Sequence, residues 1–188
     1  PNLVTTINAG NGDNIIDAGG GADTIVGGSG NDVYIFDTND VDAGETITDS
    51  GGSADVVAIA TSVDFVNLPE ANLDNIEQIR FAGANQTGTF TGAQLTGETI
   101  ALTETAAGTS NLIINVASGT TTTFTNISAG TGFTSGTDTI TINGTTGNEN
   151  ITGPSNVATT LDGGDGVDTL IGGSGNDVYI FDTNDVDA

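Results

Sequence analysis

The chain has 188 residues and carries 25 acidic side chains against a single basic one, Arg80, for a formal charge of −24. That balance excludes nucleic acid and direct binding to anionic membranes, which both recruit Lys and Arg, and it makes a compact fold self-repelling until cations neutralise it. Cys, Met, Trp and His are absent, which removes thiolate and imidazole metal sites, disulfides and the usual nucleophile–histidine triads.

No apolar run approaches the ~20 residues that cross a bilayer, and no charged, apolar, small-residue pattern marks a cleaved leader at the start of this stretch. Thr, with 32 copies, favours strands over helices.

From residue 9 the sequence advances in steps of nine: AGNGDNIID (9–17), AGGGADTIV (18–26) and GGSGNDVYI (27–35). Gly fills the second and fourth places of all three. The sixth place holds Asn14, Asp23 and Asp32, and the eighth holds Ile16, Ile25 and Tyr34. The period is too short for helical or leucine-rich repeats. A six-residue turn followed by a three-residue strand predicts a β-solenoid with one apolar side chain per strand pointing inward.

Residues 56–137 hold only six acids, and short apolar clusters recur there between Gly, Ser, Thr and Asn. This spacing predicts a second run of parallel rungs, although a β-sandwich gives the same spacing. One short helix is expected, at about Pro69 to Asn75. The nonapeptides return as GGDGVDTLI (163–171) and GGSGNDVYI (172–180), preceded by a worn copy, GTTGNENIT (144–152). The seventeen residues from Gly27 to Ala43 recur unchanged from Gly172 to Ala188. The expected architecture is all-β, a parallel β-roll or β-solenoid with a sandwich-like alternative for the middle. Its expected parts are 1–55, 56–137 and 138–188.

The turns offer carboxylate, amide and carbonyl oxygens and nothing soft, a donor set that suits Ca²⁺. One nine-residue step makes half a solenoid turn, so alternate loops stack: 9–14 with 27–32, and 144–149 with 163–168. Asp32 with Asn14 and Asp168 with Glu149 are the candidate ligand pairs. Asp23 needs a partner from Asp37, Asp40 or Asp42, and Asp177 needs one from residues 153–158. Asp13 and Asp165 add carboxylates within the loops. Asp37 and Asp40 form an acidic cap whose counterparts in the second copy are Asp182 and Asp185. In Val33–Phe36 both faces are apolar, which predicts a second layer or another chain against the strand.

The tandem pattern Gly-Gly-x-Gly-x-Asp-x-apolar-x resembles the repeats-in-toxin (RTX) family of calcium-binding β-rolls. The stretches DVYIFDTND and GETITDSGGSADVV are similar to the segment that closes such repeats. More loosely, DNIEQIRFAG (74–83) is similar to segments of Thr-rich bacterial surface-layer and large extracellular RTX proteins. The resemblance implies type I secretion as an unfolded chain, then folding on calcium outside the cell. It implies a calcium-dependent, self-associating module of a bacterial surface layer, filament or adhesin, without catalysis of its own. The alternative is the secretion and folding tail of an exported enzyme or toxin.

Overall fold

The computed structural model describes residues 3–69 and 73–181. In chain order the first strands are β1 (Thr6–Asn8), β2 (Ile15–Asp17), β3 (Thr24–Val26), β4 (Val33–Phe36), β5 (Thr46–Thr48) and β6 (Val56–Ile59). The central ones are β7 (Val63–Asp64), β8 (Gln78–Phe81), β9 (Thr87–Thr91), β10 (Ile100–Glu104), β11 (Asn111–Asn115), β12 (Thr121–Thr123) and β13 (Ile127–Ala129). The last are β14 (Thr139–Thr145), β15 (Asn150–Thr152), β16 (Thr159–Gly164), β17 (Thr169–Ile171) and β18 (Val178–Ile180).

Every strand pair among the described residues is parallel. The sheets order as β1-β3-β5, β13-β10-β8-β6-β4-β2, β18-β16-β14-β11-β9-β7 and β12-β15-β17. Each strand therefore pairs with one a full turn away in the chain, which defines a solenoid. The middle follows the same rule: β4 pairs with β6 and β6 with β8, in parallel register. The sandwich alternative gives way to parallel rungs there.

The eighth place of the nonapeptide points inward, as its apolar side chains require. Ile16, Tyr34, Val57, Ile79 and Leu102 stand in register on successive rungs, all buried. Strands of three residues cannot stand alone, and their stability comes from stacking rung on rung. Three aromatic rings join the two large sheets across the core. Phe65 meets Phe36 edge-on at 5.3 Å and stacks on Phe90 at 4.5 Å. On β4, Tyr34 and Phe36 are buried while Val33 and Ile35 stay half-buried.

The helix lies elsewhere than expected. Residues 70–72 of the expected segment are outside the described residues, and Leu73 to Asn75 form a bend and turn. One turn of helix, α1 (Gly92–Leu95), follows β9 instead, started by a capping box between Thr91 and Gln94. The buried Gln94 amide also donates to the carbonyls of Phe65 and Leu68, tying the helix to the excursion after β7. No helix among the described residues is long and apolar enough to cross a membrane.

Candidate metal centre

At the end of each loop the chain turns into a strand, and the last loop residue points its N–H toward the next rung. No backbone carbonyl receives it there. A carboxylate does so instead. The Thr5 N–H donates to Asp23 Oδ1 at 2.6 Å, eighteen residues on, and the Asp23 N–H donates to Glu45 Oε2 at 2.9 Å. On the other side, Asn14 N–H meets Asp32 Oδ1 at 2.8 Å, Asp32 N–H meets Asp55 Oδ1 at 2.6 Å, and Asp55 N–H meets Glu77 Oε2 at 2.8 Å.

The device recurs near the end of the chain, where Glu149 N–H meets Asp168 Oδ1 at 2.7 Å and Thr159 N–H meets Asp177 Oδ1 at 3.0 Å. It also occurs in the middle, from Ser110 N–H to Asp138 Oδ1 at 2.8 Å. Charge-assisted bonds of this kind contribute about 1.5–3 kcal/mol each.

One oxygen of each carboxylate is thereby used, and the other decides the chemistry. Asp23 Oδ2, Asp32 Oδ2, Glu45 Oε1 and Asp55 Oδ2 are buried without a hydrogen-bond donor. All four residues are 0 % exposed. An ionised oxygen in that state costs several kcal/mol unless a positive charge compensates it. The chain's one basic side chain, Arg80, sits on β8 beside Ala58 and Thr103, and eight acids occupy residues 13–45 alone. The compensation must come from outside the chain, as a proton on the carboxyl or a cation taking hard oxygens.

Glycines let these carboxylates pack close to the loop backbone. A Cβ at Gly27 would collide with the Tyr34 hydroxyl and stand 2.7 Å from Asp32 Oδ2, and one at Gly52, Gly163 or Gly172 would collide with the second oxygen of Asp55, Asp168 or Asp177. At Gly27, Gly163 and Gly172, the first place of the nonapeptide, the missing Cβ lets the sixth-place carboxylate lie against the backbone. Gly30 has a backbone reason as well: at φ +134° it brings the chain over Gly12, where a Cβ would lie 2.5 Å from the carbonyl oxygen. Carboxylate and carbonyl oxygens are the hard donors that Ca²⁺ takes.

The family of RTX calcium-binding nonapeptide repeats matches in four copies, over residues 5–34 and 158–183. The chain carries RTX repeats. These repeats bind calcium, a cation whose preference for hard oxygens the orphaned carboxylate oxygens match, and the matched family is a structural calcium-binding repeat rather than a catalytic one. No curated protein and no solved structure gives a significant match.

Within the RTX loops the expected residues divide. Asp32 with Asn14 and Asp168 with Glu149 do meet, through the backbone N–H of the lower member. The Asn14 side chain turns back to the Gly12 carbonyl at 2.6 Å. Glu149 differs from the buried aspartates because its carboxylate already takes donors from Gly119 and Thr145. Burial raises its pKa, but the Gly119 and Thr145 donors outweigh that and hold it below the usual glutamate value. Asp13 bridges to the Asn31 N–H at 2.8 Å from an exposed position. Asp165 is half-buried in its loop. Asp177 reaches Thr159, one residue past the expected 153–158.

Asp23 is met by Glu45 rather than by Asp37, Asp40 or Asp42. Asp37 is exposed, and its N–H donates to the buried Asp40 at 2.6 Å. Asp182 and Asp185 lie outside the described residues. Glu45, Asp55 and Glu77 were missed, yet each directly precedes a strand, as in Glu-Thr-Ile-Thr and Asp-Val-Val. That junction repeats the Asp23-Thr-Ile-Val pattern and was the available signal.

Burial, then the charges of Asp23, Asp40 and Asp42, push the Glu45 carboxyl up to about 7 against the offset of its bond from Asp23 N–H. Burial raises Asp40 and Asp55 as well. A raised folded-state pKa means that the calcium-free fold binds more protons than the unfolded chain between the ordinary value, 4.5, and about 7. Stability without calcium should therefore fall as pH rises through that window. Thermal melts in chelator from pH 4.5 to 8 check this, and calcium titrated at pH 6 should release protons. A chelated melt that is flat with pH would contradict it. Tyr34 is held far above its usual range by burial and by its bond to Asp49, so its phenol remains a donor.

Proposed function

We propose that this chain is a calcium-dependent structural module of a bacterial extracellular assembly, a surface layer, filament or adhesin, and that it performs no catalysis itself. In this reading Asp23, Asp32, Asp168 and Asp177 are the main nonapeptide ligands. Their partners are Asn14, Glu45, Asp55 and Glu149, while Asp13, Asp37, Asp40 and Asp165 add charge at the loop rims. The RTX repeats support secretion before folding, because −24 charges oppose collapse until calcium arrives.

One observation carries the assembly reading. The recurring Val-Tyr-Ile-Phe is an inner rung in its first copy, where β6 pairs with it and Tyr34 is 0 % exposed. The same seventeen residues recur unchanged from Gly172 to Ala188, and β18 pairs with β16 in the parallel register that β4 keeps with β2. A rung that recurs unchanged in the same register favours the stacking of further rungs of this kind, and a second copy of this chain offers strands of the same period.

Sedimentation velocity across a concentration series tests it. Association in calcium and monomer in chelator is the expected result. A calcium-loaded monomer at every concentration would remove the assembly reading while leaving calcium binding intact.

A further inference from the structure

Side chains of a solenoid strand that do not enter the core face outward, and on the six-stranded sheet that holds β2 and β4 they form straight rows. One row runs Asp17, Ile35, Ala58, Arg80 in parallel register. Beside it run Ile15, Val33, Val56 and Gln78. None of these eight belongs to the core cluster. They include one acid and one base, so this face is neutral on a chain of charge −24.

The face is also apolar at its centre. Ile15 is 77 % exposed, Val33 and Ile35 are half-buried, and Ala58 sinks between Ile35 and Arg80 at 1 % exposure. Arg80 is itself half-buried and makes no ion pair among the described residues. A guanidinium held partly out of water without a carboxylate costs free energy that an incoming carboxylate offsets. The acid of the row, Asp17, stands three rungs away. At about 4.8 Å per rung that is roughly 14 Å, beyond the reach of the arginine side chain. Asp17 is exposed and accepts the Gly19 N–H on Oδ1 at 3.2 Å, which leaves Oδ2 for a partner.

The order of the row is its own complement. A second copy, turned by 180° about an axis parallel to the strands and midway between β4 and β6, lays the same face on this one. Asp17 of each copy then stands opposite Arg80 of the other. Bulky Ile35 meets the recess over Ala58, and Val33 meets Val56. Such an isologous contact closes at two copies, and it sets an Arg–carboxylate pair at each end of an apolar centre.

We propose that this outward face is a two-fold, side-by-side contact between copies of the chain, with Asp17 and Arg80 as its reciprocal ion pairs. It differs from the end-to-end stacking of rungs and does not rest on it. It supplies the second chain that a strand apolar on both faces, Val33–Phe36, calls for. Four rungs of three or four residues span less than the ~800 Å² per partner of a standard interface. Single chains therefore pair weakly, and aligned arrays of modules pair more tightly.

Sedimentation equilibrium in calcium, carried to high concentration, tests the contact. Arg80→Glu and Asp17→Arg should each weaken self-association about tenfold or more, because each sets like charges opposite one another. Overall repulsion would act otherwise, since Asp17→Arg makes the chain less negative and would then associate more readily. Circular dichroism confirms that both variants are folded. Mixed one to one, they should associate again, because both contacts of the mixed pair join opposite charges. Association unchanged in Arg80→Glu would overturn the contact and leave end-to-end stacking intact. Weakening of both variants without recovery in the mixture would overturn it as well. A parent chain that stays monomeric at every concentration would remove this contact and the stacking together.

Discussion

Asp32→Asn should destabilise the protein in calcium and stabilise it in chelator. Asn keeps an oxygen to accept the Asn14 N–H, at 2.8 Å in the parent, but weakens that bond by about 1 kcal/mol. It also deletes a buried charge whose second oxygen has no donor. Without calcium, relief of the desolvation and of repulsion with Asp49 and Asp55, several kcal/mol per buried ion, exceeds the weakened bond. With calcium the order reverses, because a charged ligand has gone and binding stabilises the fold less. Asp32→Ala, which also leaves the Asn14 N–H without an acceptor, should destabilise in both conditions. Paired thermal melts of the three proteins read this directly. An Asp32→Asn melt lowered equally in calcium and chelator would mean that the carboxylate serves only the backbone.

Phe65→Ala should cost about 3–5 kcal/mol, a drop in Tm of roughly 10 °C for a chain of this size. Phe65 is fully buried and is the one ring that touches both Phe36 of β4 and Phe90 of β9. Those strands belong to different sheets, so its removal leaves a cavity that neither can close alone. Calcium should not rescue the loss, since no loop carboxylate is altered. A calcium-saturated melt within about 1 kcal/mol of the parent, less than a conservative core change costs, would show that the sheets are joined by other contacts.

The loops were legible in the sequence because their period is rigid. A nine-residue step places every second loop in register, and the eighteen-residue spacing from Asp23 to Thr5 and from Asp32 to Asn14 follows from it. The inward eighth position followed for the same reason, since a three-residue strand has one central side chain to bury. Legibility ended where the rung length changes. Glu45 meets Asp23 after 22 residues and Asp55 meets Asp32 after 23, so a nine-residue frame cannot pair them.

The acidic cap was placed by proximity in sequence, but Asp37 and Asp40 bond to each other while the following loop carries the chain round to Glu45. The helix was sought at a proline, whereas the Thr91–Gln94 box, which satisfies two otherwise unpaired N–H groups, marked its actual start. Asp49 was the least visible residue. It is met by the phenol of Tyr34, fifteen residues earlier, in a place where neighbouring repeats carry Ile.

All of these features meet in one claim, that the buried carboxylate oxygens are built for calcium and that the fold depends on it. Far-UV circular dichroism of the chain in calcium, then in excess chelator at pH 7.5, tests it most directly. The account predicts a β-sheet spectrum in calcium that weakens on chelation, with a melting temperature well below the calcium-loaded one, and both return when calcium is restored. An identical sheet spectrum and melting temperature in chelator would contradict it.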